Sequence, residues 1–109
     1  MKTVYFLNRN EWRKWLKENH DKEKEIWLVY YRKSSGKPTA SYNEAVEEAL
    51  CYGWIDSIEK SLDNERFAGR FTPRKPKSNW SESNRTRAHR LIASKQMTDA
   101  GRKVLPEGF

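Results

Sequence analysis

The run from Glu25 to Lys33, EIWLVYYRK, places six consecutive aromatic, β-branched or apolar residues between charged ends. Successive side chains of a strand point to opposite faces of its sheet, so an unbroken apolar run belongs to a strand that is covered on both faces. We therefore predict a central strand here. The rest of the chain has to supply its neighbours in the sheet and the layer of helices against it.

The residues before this strand predict an edge strand followed by a helix. Thr3 to Leu7 is a short apolar run, and Asn8 with Glu11 three residues later has the spacing of a capping box at the start of a helix. The inner face of that helix is predicted to hold three residues at helical spacing, Trp12, Trp15 and Leu16.

A second helix is predicted after the central strand. Ser41 and Glu44 form another capping box, and apolar residues follow at helical spacing. Gly53 stands where this helix should end in a left-handed residue.

The next part of the chain predicts a β-hairpin. Residues 54–62 and 66–74 both alternate in polarity, and Asp63-Asn64-Glu65 supplies turn chemistry between them. Pro73 and Pro76 are predicted to end the hairpin.

The register of this hairpin decides where Asp56 lies. A three-residue loop sets Leu62 opposite Arg66 and Asp56 opposite Thr72, on the same side as Arg70 and Arg74. A two-residue loop sets Asp56 opposite Phe71, away from the arginines. The sequence leaves both open.

A third helix, capped by Ser81, is predicted to turn four residues inward: Asn84, Ala88, Leu91 and Ile92. Residues 98–105 predict a last turn or short helix. The order β-α-β-α-β-β-α indicates an α+β fold, a two-layer sandwich in which helices pack on a small mixed or antiparallel sheet. At 109 residues, we treat 1–109 as a single domain.

Composition excludes several classes of protein. Five Trp, five Tyr and four Phe argue for a folded core despite the polar average. Cys51 is the only cysteine, and His20 and His89 lack a third ligand, so we predict no disulfide, no metal and no cofactor. No apolar run of about 18 residues exists, so we predict no membrane insertion and a cytoplasmic location.

Positive charge is concentrated in residues 66–95. This segment contains nine Lys or Arg and one acid, Glu82, and its formal charge of +8 exceeds the +7 of the whole chain. Such a concentration predicts an anionic partner for this segment rather than a uniformly basic protein.

Within this segment, three features indicate a cleft for a small anion such as a phosphate, a nucleotide or a carboxylate. Arg70 and Arg74 share one strand face, and long arginine side chains can converge on an anion. The turn through Ser78 leads into a helix start, whose free N–H groups attract anions. Asn84 near that start needs polar partners. The candidate ligand-binding residues are Trp54, Asp56, Arg70, Arg74, Ser78, Trp80, Ser81 and Asn84.

Structural roles compete with this interpretation. Asp56 can be an ion-pair partner of Arg70 or Arg74, Trp54 and Trp80 can be core or cap residues, and Ser81 can be only a helix cap. An enzyme with Asp56 as general base is an alternative, but nearby arginines would lower the pKa of that carboxyl, which favours binding over catalysis. Nucleic-acid binding through the third helix is another alternative, with four candidate residues: Arg85, Arg87, Arg90 and Lys95.

Three segments also resemble a known family. ALCYGWID at 49–56, RFTPRKPKSNWSESN at 70–84 and RLIASKQMTDAGRKVL at 90–105 are similar to the YdeI/OmpD-associated, or bacteriocin-protection, family. The resemblance implies that the candidate residues belong to one motif set, and it points to bacterial stress and resistance to antimicrobial peptides. Relatives continue into a helical C-terminal region, so the resemblance implies a short member or a fragment.

Overall fold

The protein is described by a computed structural model, which covers residues 1–75 and 78–109. Its elements are β1 Thr3–Tyr5, α1 Arg9–Asn19, β2 Ile26–Tyr31, a 3-10 turn Lys33–Ser35, α2 Tyr42–Cys51, β3 Trp54–Ser61, β4 Arg66–Pro73, α3 Glu82–Ala93 and α4 Asp99–Arg102. The predicted α+β class is confirmed. The predictions that concern Pro76 and Lys77 lie outside the described residues.

The four strands form one mixed sheet in the order β1-β2-β4-β3. β1 runs parallel to β2, while β2–β4 and β4–β3 are antiparallel pairs. β2 therefore lies between two neighbours, as its apolar run predicted, and its first five residues are buried. β1 is an edge strand, as predicted, but it ends at Tyr5 instead of Leu7.

The hydrophobic core lies between one face of the sheet and the helices. Ile26, Leu28 and Phe71 belong to the core cluster together with Trp12 and Leu16 of α1. The rings of Trp12 and Phe71 lie 5.2 Å apart, edge to face, which joins α1 to the sheet. The apolar face predicted for α1 is the face that packs here.

Side chains cap the helices largely where the sequence predicted. Ser41 and Glu44 form the complete capping box of α2. Asn8 accepts from the backbone N–H of Glu11 at 3.1 Å, as predicted for α1. The Glu11 carboxylate, however, accepts from the N–H of Leu7 at 2.8 Å instead of from Asn8, one residue earlier than a capping box requires. Gly53 has φ +75°, the left-handed conformation expected after α2.

A β-bulge in the hairpin determines which face of the sheet Asp56 lies on. Near the turn the pairing is that of a three-residue loop, since the N–H of Leu62 donates to the carbonyl of Arg66 at 3.0 Å. The register then shifts between Asp56 and Glu59. Over this part of the hairpin β3 contains one residue more than the facing part of β4, which is a β-bulge. Asp56 consequently pairs with Phe71 on the core side of the sheet.

Among the described residues, no helix is both long enough and apolar enough to cross a membrane.

Candidate functional site

Arg74 is the centre of the candidate site. It follows β4, and its backbone N–H donates to the carbonyl of Gly53 at 2.7 Å, which fixes the chain where the strand ends. The residue is only 7% exposed. Nη1 donates to Ser78 Oγ at 2.8 Å and to the Asn79 carbonyl at 3.0 Å. The guanidinium carbon lies 4.0 Å from the ring centroid of Trp80, a close cation–π contact.

The partners of this guanidinium are all neutral. No described carboxylate forms an ion pair with Arg74, and its Nε is buried without a hydrogen-bond partner in the described part of the chain. Burial lowers the pKa of the Arg74 guanidinium, and the negative charge of Asp56 acts in the opposite direction with a smaller effect. Arg74 is thus a buried cation with little compensation, which is costly in a protein interior.

An open cavity of about 340 Å³ lies beside Arg74. We call it the Arg74 cleft, and its walls are formed by Ile55, Thr72, Pro73, Arg74, Lys75, Ser78 and Asn79. The wall therefore offers two cationic side chains and two hydroxyl groups to one small volume. These groups can donate hydrogen bonds to the oxygens of a carboxylate or phosphate.

Arg70 does not belong to this cleft. Its Nε donates to the Glu25 carboxylate at 2.6 Å, and this contact holds the pKa of Glu25 below its usual value. The two strand arginines were predicted to converge on one ligand. Instead Arg70 is neutralised by an acid at the start of β2, because Arg70 pairs across the sheet with Trp27, two residues from Glu25.

Asp56 lies in a separate hollow on the core side of the sheet. Its Oδ2 accepts from the Tyr42 hydroxyl at 2.7 Å, and no ion pair with Arg70 or Arg74 exists in the described structure. Burial, and then the bond to Asp56, raises the pKa of Tyr42 to about 12. The hollow has a volume of about 500 Å³ and is lined by Tyr42, Asp56, Ser57 and Glu59.

The other predicted binding residues have structural contacts. Trp54 is buried in the core, and its Nε1 donates to the His20 carbonyl at 3.2 Å. Ser81 Oγ caps α3 by accepting from the N–H of Asn84 at 3.1 Å. The Asn84 amide oxygen accepts from Arg87 Nη1 at 3.0 Å. Of the eight candidates, the structure brings Arg74, Ser78 and Trp80 together.

The basic face predicted on α3 is partly neutralised. Arg90 forms an ion pair with Glu47 of α2. Arg87 donates from Nε to the Asn43 side chain at 3.0 Å. Arg85 and Lys95 are exposed and have no ion-pair partner among the described residues.

Residues 4–104 match the model of one protein family. The chain belongs to the family described as Domain of unknown function (DUF8412). Comparison with curated proteins and with solved structures gave no match. The DUF8412 match contains the whole Arg74 cleft, while the resemblance to the YdeI/OmpD-associated family stays a prediction.

Sequence reasoning on this DUF8412 domain missed several residues of the cleft. Ile55, Thr72, Lys75 and Asn79 line it, but none of them was singled out. Thr72 and Lys75 flank the Pro73-Arg74 pair within the basic segment, so proximity to Arg74 was the available signal. The described residues contain no group of three or more His, Cys, Asp or Glu side chains arranged to hold a metal ion.

Proposed function

We propose that this DUF8412 domain is a binding module that holds a small anion in the Arg74 cleft. The observation that supports the proposal is the environment of Arg74, a residue that is 7% exposed and whose guanidinium has only neutral partners among the described residues. A bound carboxylate or phosphate would supply the missing negative charge.

A buried charge such as that of Arg74 needs a compensating charge. Moving an ion from water into a protein interior costs roughly several kcal/mol of free energy. This cost is recovered only when an opposite charge and well-placed hydrogen bonds surround the ion. Ser78 and the Asn79 carbonyl provide two hydrogen bonds at 2.8 and 3.0 Å but no charge. Hydrogen bonds between a guanidinium and an oxyanion are about twice as strong as neutral ones. An anion in the cleft therefore gains more from Arg74 than from an exposed arginine.

The neighbouring donors favour an oxyanion with several oxygens. Lys75 adds a second positive charge at the rim, and Thr72 and Ser78 add hydroxyl groups. A tetrahedral phosphate can accept from several of these donors at once. Phosphate, or the phosphate group of a nucleotide, is therefore the first ligand to test, with a carboxylate as the second.

The test is a titration with inorganic phosphate, followed by NMR chemical shifts of the backbone amides. We expect saturable shifts at residues 72–79, and Arg74→Gln should weaken binding by about ten- to a hundredfold, since a charged hydrogen bond contributes about 1.5–3 kcal/mol. Arg70→Gln is the matched control, because it removes a nearby arginine, in β4, whose charge is already paired with Glu25. Equal affinities for wild type and the Arg74 variant would refute the proposal.

An enzymatic function has weaker support. The proposed base, Asp56, hydrogen-bonds Tyr42 and lines a hollow whose walls do not include Arg74. A general base must reach the proton that it removes from the bound substrate. We therefore prefer binding to catalysis, and nucleic-acid binding through α3 is disfavoured by the pairing of Arg90 with Glu47.

The biological setting of the proposal comes from the sequence. The lone, buried Cys51 favours a reducing, cytoplasmic location. The resemblance to the bacteriocin-protection family adds a role in bacterial stress or in resistance to antimicrobial peptides. Loss of the gene should then change survival under antimicrobial-peptide treatment, and restoration by wild type but not by the Arg74→Gln variant would link that role to the cleft.

A further inference from the structure

A third cavity, of about 480 Å³, lies at the hairpin-turn end of the sheet. It is enclosed by the end of β2, the start of β4, the loop after β2 and the start of α2. Four aromatic residues belong to its lining, and we call it the tyrosine pocket: Tyr30, Tyr31, Tyr42 and Phe67. Pro38 and Ala40 complete the apolar wall.

The size and lining of the tyrosine pocket suit a small, flat, apolar group. Ligand cavities in proteins span about 300–1,000 Å³ and are lined mainly by apolar and aromatic side chains with a few polar groups. Here the rings of Tyr30 and Phe67 are stacked, with centroids 5.0 Å apart and planes 19° apart. Tyr30 is only 2% exposed, so an aromatic ligand would contact mainly the half-buried ring of Phe67 and the ring of Tyr42, which is 45% exposed. Such contacts are favourable because aromatic pairs gain energy beyond the area that they bury.

The charged residues around the pocket favour a ligand with a negative charge. Three cationic side chains belong to its lining: Arg32, Lys33 and Lys37. The Arg32 guanidinium lies 5.1 Å from the ring centroid of Phe67, and Lys37 Nζ lies 4.8 Å from that of Tyr31. A cationic ligand would compete with these groups for the aromatic faces and be repelled by them.

Two acids contact residues of the lining but do not belong to the lining themselves. Glu65 lies 3.6 Å from Lys37 Nζ, and Asp56 accepts the hydroxyl of Tyr42. Lys33 forms no ion pair among the described residues, so it is available to an anionic group on a ligand. The pocket therefore combines an aromatic interior with a positive rim.

We propose that the tyrosine pocket binds a small aromatic carboxylate, with its ring against the tyrosines and its carboxylate at Lys33 and Lys37. This site is separate from the Arg74 cleft. Phe67 and Arg74 lie seven positions apart on one extended stretch, roughly 23 Å at 3.3 Å per residue. Binding at one site can therefore be observed without occupation of the other.

The experiment is an NMR titration of the protein with three probes. 2-Naphthoate carries both an aromatic ring and the charge, 2-naphthylmethanol carries the aromatic ring without the charge, and cyclohexanecarboxylate carries the charge on a ring that is not aromatic. We expect saturable amide shifts at residues 30–42 and at Phe67 for 2-naphthoate. The affinity for 2-naphthylmethanol should be up to about fivefold lower, because it loses an exposed charge pair. The affinity for cyclohexanecarboxylate should be about two- to tenfold lower, because it loses the aromatic contact.

Variants separate the two parts of the proposal. Lys33→Gln and Lys37→Gln should each weaken 2-naphthoate binding by about two- to fivefold and leave 2-naphthylmethanol binding unchanged. Lys24→Gln, an exposed lysine outside the pocket, is the matched control and should change neither. Thermal unfolding of each variant checks that the fold is intact.

Three results would overturn the proposal. The first is the absence of saturable shifts at the tyrosine pocket with millimolar 2-naphthoate. The second is an affinity for 2-naphthoate that both lysine variants leave unchanged. The third is a shift pattern centred on residues 72–79, which would assign the probe to the Arg74 cleft instead.

Discussion

Replacing Arg9 by methionine should destabilise the protein more than any exposed arginine substitution. Arg9 joins α1 to a pair of acids on α2, Glu47 and Glu48, whose exposed fractions are 3% and 2%. Its Nη2 lies 2.9 Å from Glu47, its Nε lies 2.6 Å from Glu48, and its Nη1 lies 3.8 Å from Glu44. The substitution therefore removes a cation from two buried carboxylates at once.

The size of the destabilisation depends on the ion pairs that the two buried acids keep after Arg9 is replaced. Breaking a buried ion pair and leaving one charge without a partner costs about 3–5 kcal/mol. Here Glu48 keeps Arg13 at 2.9 Å, and Glu47 keeps Arg90. The side chain of Arg9 is also 28% exposed, so solvent screens part of its interaction. We therefore expect a loss of about 2–3 kcal/mol in the free energy of unfolding.

The assay is urea denaturation followed by fluorescence of the five tryptophans. With a denaturant slope of about 1.5 kcal/mol/M, the midpoint should fall by about 1.3–2 M. Arg102→Met is the matched control, because Arg102 is exposed and makes no ion pair in the described structure. It should change the free energy of unfolding by less than about 0.5 kcal/mol.

A double-mutant cycle tests whether loss of the ion pair between Arg9 and Glu48 causes the destabilisation. Glu48→Gln removes the charge that Arg9 compensates, so the two substitutions together should cost at least about 1 kcal/mol less than the sum of their separate effects. A loss below about 1 kcal/mol for Arg9→Met, or strict additivity in the cycle, would show that this cluster behaves like ordinary surface charge. The reasoning from burial would then be wrong.

Three further predictions concern single positions. Gly101→Ala should destabilise the protein by about 1–3 kcal/mol, because a Cβ there would lie 2.6 Å from the backbone carbonyl oxygen of Cys51 and 2.7 Å from that of Leu50. A cost below about 0.5 kcal/mol in urea unfolding would contradict this. Arg70 holds the pKa of Glu25 low, so this pKa, followed by NMR, should rise to its usual range in Arg70→Gln. Because the pKa is lowered in the folded protein, the contact stabilises the fold above the usual range of the carboxyl group, and this stabilisation is lost as the pH falls. An unchanged pKa of Glu25 in the variant would exclude the contact. Tyr30→Phe should leave stability unchanged or raise it by up to about 1 kcal/mol, because its hydroxyl is buried without a described partner; a clear loss would reveal a hydrogen bond.

For much of the candidate site, the sequence predicted the segment of the chain that forms it but not which residues of that segment come together. The basic segment drew attention to Arg74, Ser78 and Trp80, which do lie together. Arg70 was indistinguishable from Arg74 in the sequence, since both occupy one face of an alternating strand. What separates them is Glu25, which lies 45 positions away in the chain and reaches Arg70 only through the pairing of β2 with β4.

The sequence by itself determined the elements and their buried faces. Caps such as Ser41, the period of the hairpin strands and the apolar run of β2 act over a few residues, so local pattern is enough to identify them. The tertiary structure alone decided which charges meet. A bulge in β3 moved Asp56 to the core side, and strand pairing neutralised Arg70 while it left Arg74 buried among neutral groups. Electrostatic partners depend on distances through space, and neighbours along the chain do not encode those distances.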